Sequence, residues 1–209
     1  MTAVSVAIGA PGVVEAVREF LEDGAHGGVD SPANTLNQTL AAVRTSLGLD
    51  AGTGTDGARV NLPDVVAFDT WYAVGEYGQE YPRLGIVWTG HSGEEEARNQ
   101  QRFTHRIELV LVVPAADLDP SAGSAFGEAE ASMYALGLYD LALMSMFLRR
   151  PSNAAEYGKD LNGGGTGTAA NKITLARYDG VRDIAAFGEE HSPMLAMTCD
   201  LLVRIVENL

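Results

Sequence analysis

The chain has 209 residues, enough for one domain with a sizeable core, and its 46% hydrophobic and 20% charged residues exclude a disordered class. Its 28 acidic residues against 14 basic ones give a formal net charge of −14, which excludes a nonspecific nucleic-acid binder, since those need clustered Lys and Arg. Cys199 stands alone, so an intramolecular disulfide and a cysteine-based metal site are both excluded.

No apolar run reaches the roughly 18–20 residues that span a bilayer, and the first ten residues lack the positive region of a secretory signal, so a soluble protein is expected. Lys159 and Lys172 are the only lysines. Twelve arginines make up the other basic residues, a bias shared by GC-rich genomes and by proteins suited to high salt.

In chain order, 12–22 reads as an amphipathic helix with Val13, Val14, Ala16, Val17, Phe20 and Leu21 at helical spacing. Asp23-Gly24 stops it. A second helix is expected over 33–47, with Leu36, Leu40, Val43 and Leu47 on one stripe and Gly48 ending it. Gly52–Gly57 matches the dinucleotide fingerprint by letter, but a helix precedes it and a β-like stretch over 64–74 follows. That inverts the strand-to-helix context which brings phosphate to helix amides, so it reads as a connector.

Leu84–Thr89 reads as a strand, and 90–101 as a charged loop holding Glu94, Glu95 and Glu96. Over 102–113 alternation is clean: Phe103, His105, Ile107, Leu109, Leu111 and Val113 share a face, with Thr104, Arg106 and Glu108 opposite. The opposite face turns apolar at Val110 and Val112, the signature of a central strand, and Pro114 ends it. A helix is expected from about Gly127 to Arg150, with Glu128 and Glu130 favourable in its first turn and a core stripe of Met133, Leu136, Leu143, Met146 and Phe147.

Residues 153–171 form a Gly-rich arm centred on Asn162, Gly163, Gly164, Gly165 and Thr166, and it is not a P-loop because the Gly-Lys-Ser/Thr ending is missing. Short strands are expected at 172–178 and 182–187 around an Asp179-Gly180 turn. The strand over 193–207 carries Leu195, Met197, Cys199, Leu201, Val203 and Ile205 on one face.

Catalytic candidates are few. No G-x-S-x-G occurs, His26, His91 and His191 lack metal-ligand spacing, and His105 reads as a satisfied core histidine. Cys199 reads as a small buried hydrophobe. No cofactor, no metal and no catalytic residue are expected, so the chain reads as a non-enzyme. The fold class expected is α/β (α+β): a single domain over 1–209, a mixed and mainly antiparallel sheet with helices packed on one face.

Several segments in a fixed order bring a family to mind: the Tyr81–Ile86 strand entry, the charged loop, the His105–Val113 strand, the acidic-headed helix at 128–148, the Ala176–Gly180 turn and the Met197–Val206 closing strand. In this order the chain resembles the tail terminators and head–tail joining (neck) proteins of tailed viruses. The resemblance covers roughly the last 130 residues; the arm at 153–171 departs from it. It implies a structural virion protein whose copies form a ring, usually of six, that caps the tail tube and meets the head-side connector.

Expected partners are therefore the chain itself, the tail tube protein and the connector or neck protein, with the genome passing through unbound and no membrane contact. The expected location is the virion tail or neck, after assembly in the host cytoplasm. Another neck or tail-completion protein is the near alternative, and an enzyme using the Gly-rich loops the distant one. Apolar ends on the strands at 102–113 and 193–207 are expected to stay exposed for assembly. Glu94, Glu95 and Glu96, then Asp117 and Asp119, are the candidates for an acidic pore wall that repels passing phosphate. Asn162, Gly163, Gly164, Gly165 and Thr166 are the candidates for partner contact.

Overall fold

The computed structural model describes residues 9–23, 35–48, 65–68, 83–97, 100–114, 128–147, 173–189 and 192–208. These residues include three helices: α1 (Gly9–Asp23), α2 (Thr35–Ser46) and α3 (Glu128–Phe147). Five strands join them: β1 (Val65–Phe68), β2 (Arg83–Ala97), β3 (Gln100–Pro114), β4 (Ile173–Glu189) and β5 (Ser192–Asn208).

The strands make one sheet in the order β1-β2-β3-β5-β4, with β1 parallel to β2 and every other pair antiparallel. The expected class, a mixed and mainly antiparallel sheet with helices on one face, describes this architecture. The strand that is apolar on both faces at one end, β3, lies at its centre, because only a central strand has both faces covered.

The core forms between the helices and one face of the sheet. Leu84 and Ile86 of β2, Ile107, Leu109, Leu111 and Val113 of β3, and Met197, Cys199, Leu201, Val203 and Ile205 of β5 meet Val13, Val17, Leu21, Leu36, Leu40 and the α3 side chains there. Each such aliphatic side chain contributes about 1.5–3 kcal/mol when fully buried. α1 lies over β1 to β3, while α2 packs against α3, which reaches β4. Within α3 the buried set is wider than the expected stripe. Leu138, Tyr139 and Ala142 join Leu136, Leu143, Met146 and Phe147, since a helix wedged between α2 and the sheet is covered on more than one side.

Three expectations are corrected. The segment 90–97 is not a loop: β2 runs on to Ala97 and pairs with β3 as far as Ala97↔Gln100. Gly90, with φ 148°, lets the strand absorb an irregularity after Trp88 and continue, as a bulge does. Likewise 173–189 is one strand and not two around a turn. Asp179-Gly180 forms an irregularity in β4, made possible by φ 95° at Gly180. Last, the apolar strand ends are covered: Val87, Val110, Val112 and Ala196 form a second cluster on the opposite face and are 0–6% exposed. They offer no apolar docking surface.

Candidate functional site

The sheet face opposite the helices carries the charged groups. Glu108 of β3 and Asp200 of β5 are register partners, so two carboxylates stand directly across a strand pair, normally a destabilising arrangement. Arg182 of β4 relieves it. Its Nη1 donates to Glu108 Oε1 at 2.6 Å and to Asp200 Oδ1 at 3.2 Å. Nearby, Arg177 donates through Nε to Asp179 Oδ1 at 2.6 Å and through Nη2 to Oδ2 at 3.1 Å, the bidentate geometry that a planar guanidinium allows. Arg106, between these and the hairpin end, is exposed.

A second grouping lies where β2 and β3 leave the helices. Trp88 Nε1 donates to Nδ1 of buried His105 at 3.2 Å, so that nitrogen is an acceptor and carries no proton. Exposed His91 stacks on both rings, with centroids 5.8 Å from Trp88 and 5.3 Å from His105, and meets Phe103 edge-on at 5.7 Å. His105 is thus a core histidine held by tryptophan, as the alternation implied.

The third grouping is buried. Tyr178 of β4 donates to Asp140 Oδ1 of α3 at 2.6 Å, with Cys199 of β5 beside the hydroxyl. Burial pushes the Cys199 thiol up to about 11, against a partial offset from the Tyr178 hydroxyl. Burial also raises Tyr178, reinforced by its hydrogen bond to Asp140. Both groups stay protonated at neutral pH, and a protonated, buried thiol is a poor nucleophile. The trio ties α3 to the sheet; it does not make a reactive centre.

The acidic candidates fall partly within the described residues. Glu94 is exposed in β2 opposite Arg102; Glu95 and Glu96 follow it in the same strand, where Glu95 pairs with Gln101. The hairpin therefore brings the three together at its end. Asp117, Asp119, Asn162, Gly163, Gly164, Gly165 and Thr166 lie outside the described residues. Among the basic residues, Arg44 is buried, 1% exposed, and is close enough to Tyr139 to offset part of the rise that burial gives that phenol. It cannot line a pore.

Sequence reasoning missed the Arg182–Glu108–Asp200 group and the Tyr178–Asp140–Cys199 trio. Both join residues far apart in sequence: the β3–β5 and β4–β5 registers assemble the first, and the β4–β5 register with the packing of α3 on β4 assembles the second. Among the described residues no group of three or more His, Cys, Asp or Glu is placed to hold a metal ion, and no helix is long and apolar enough to cross a membrane. No protein-family model matches the chain, and no curated protein matches it.

Proposed function

We propose that the chain is a structural subunit of a viral tail neck, a tail terminator whose copies form a ring between tail tube and head-side connector. The supporting observation is architectural. A long hairpin (β2–β3), a helix laid on one face (α3) and a second hairpin (β4–β5) whose strand inserts beside β3 follow one another in the order of the resemblance, although its charged loop lies mostly within β2 and its Ala176–Gly180 turn is an irregularity within β4. The three glutamates at 94–96 sit together at the end of the β2–β3 hairpin. A ring that turned this end toward its axis would concentrate negative charge on the passing genome, and low-dielectric walls would focus that potential.

The test is the mass of the purified protein and its capture by assembled tail tubes. A ring, most simply of six copies, that binds tube ends supports the reading. A protein that stays monomeric and ignores tubes overturns it. For the charge, Glu94, Glu95 and Glu96 replaced together by Gln should leave ring mass unchanged and slow genome passage; unchanged passage removes the pore-wall role.

A further inference from the structure

His105 is a buried titratable group for which the neck reading has no use. It is 3% exposed, and its Nδ1 accepts the indole N–H of Trp88 at 3.2 Å. Its register partner across the hairpin is His91, whose exposed ring stacks on it and on Trp88. Trp88 and His91 stand on either side of the irregularity in β2, where the register shifts between Trp88 and Gly90. A bulge disrupts the ladder locally, so one imidazole pins both flanks of a point at which β2 can bend.

The pin holds only while His105 is neutral. A ring nitrogen that accepts a hydrogen bond has no proton, whereas an imidazolium donates from both nitrogens. Protonation sets the Nδ1–H against the indole N–H, donor against donor, and a buried donor left unmet is costly. A second proton, on His91, puts two cations face to face with ring centroids 5.3 Å apart. Among the described side chains, its neighbours on this face are Trp88 and His91 of β2, Phe103 and Ile107 of β3, and Val203 of β5. The Tyr178–Asp140 pair joins β4 to α3 two strands away, and Glu15 and Arg18 of α1 are paired with each other. Glu95 and Glu207 stand at register positions opposite Gln101, four residues along β3.

We propose that Trp88, His105 and His91 form a proton-sensitive latch on the β2–β3 hairpin, closed while His105 is neutral and opened by its protonation, which frees the hairpin beyond Gly90 to move. A free imidazole titrates at about 6.5. Because the closed latch holds His105 neutral, it is complete above that value and is lost as pH falls below it. Trp88 is only partly buried and His91 is exposed, so both can swing into water. The end that moves carries Glu94, so the latch couples acidity to the placement of the acidic hairpin end. It stands or falls independently of the neck reading.

The chain has two tryptophans, so Trp71→Phe in the full chain isolates the emission of Trp88. Between about pH 8 and pH 5 that emission should shift to the red as the indole meets water, while far-UV circular dichroism stays unchanged. Amide exchange over 91–97 and 100–104, corrected for the intrinsic effect of pH, should rise about tenfold, the factor that loss of one hydrogen bond gives. Nitrogen NMR should find His105 protonated on Nε2 alone at the upper pH and on both nitrogens at the lower. His105→Gln keeps an acceptor and takes up no proton, so it should abolish the pH response. A response that persists in His105→Gln, or an indole that never moves, overturns the proposal. So does a red shift accompanied by loss of the far-UV signal, which is unfolding of the whole chain. If His105→Gln does not fold, the NMR decides: Trp88 exposed while His105 is still neutral overturns the latch, and the two changing together sustains it.

Discussion

Glu108 and Asp200 face each other across the two central antiparallel strands and share a single cation, Arg182. The carboxylates come from the most regular part of the sheet and the guanidinium from its edge. The group therefore fastens β4 to the pair it does not complete by hydrogen bonding alone.

Removing that cation should expose the repulsion. Arg182→Gln is expected to destabilise the fold by about 1 kcal/mol, the scale of partly exposed ion pairs and of like charges set opposite. The loss should shrink as salt rises, because the groups are 22–48% exposed and screening reaches them. Urea denaturation at low and high ionic strength measures it. An equal loss at both would mean that packing of the arginine stem, and not charge, is what matters.

The buried phenol and thiol set the alkaline limit. Cys199 is pushed up to about 11, and Tyr178 is raised as well, so both keep protons in the folded state that the unfolded chain gives up earlier. Stability is thus fully present below the thiol's ordinary value near 9 and should fall as pH climbs through about 11. Cys199→Ala and Tyr178→Phe should each flatten this fall. At neutral pH, Tyr178→Phe should cost about 1–2 kcal/mol, since Asp140 loses its donor. Thermal melts across pH 7–11 give both readings.

Cys199 should resist thiol reagents. It is fully buried and protonated at pH 8, so modification must wait for unfolding and should accelerate by orders of magnitude in denaturant. Fast labelling of the native protein would contradict the packing of β5 against α3.

Two glycines should respond with opposite signs to alanine. At Gly180 an added Cβ meets nothing within 4 Å, yet φ 95° is costly for any L side chain, so Gly180→Ala should lose about 1–2 kcal/mol through the backbone alone. Gly137 lies exposed within α3 with open space around it, and Gly137→Ala should gain about 0.5–1 kcal/mol.

Periodicity made the sheet core and the helices legible. The alternation of β3 and β5 named the buried faces residue by residue, because a half-covered strand must alternate. Continuity across Gly90 and Gly180 was not legible, since glycine signals a turn as readily as a bulge, and the difference lies in whether a partner strand continues opposite. Glu94, Glu95 and Glu96 read as loop because a run of charge signals solvent, and Glu94, within a strand, is exposed as a loop residue would be. The burial of Val110 and Val112 depended on what covers the opposite face, which no local pattern encodes. The Arg182 group required the β3–β5 register between strands remote in sequence, and the Tyr178 group required the packing of α3 on β4.

The sheet order also dictates how the chain can acquire its shape. β2 with β3, and β4 with β5, are local hairpins in which pairing reaches Ala97↔Gln100 and Glu189↔Ser192, and such units zip within microseconds. The β3–β5 seam joins Gln100 to Asn208 and Pro114 to Met194, so it forms only after a long intervening segment has been closed into a loop. The chain is then expected to fold by docking two hairpins, with its slowest step in one seam. Substitutions at Leu109 or Cys199, within that seam, should slow refolding; those at the β4 edge should chiefly hasten unfolding. Folding in this order would pass through a stage in which both hairpins exist and the central strands still lack each other. During that interval two unpaired central edges, and not the finished edge of β4, are the hazard for misassembly.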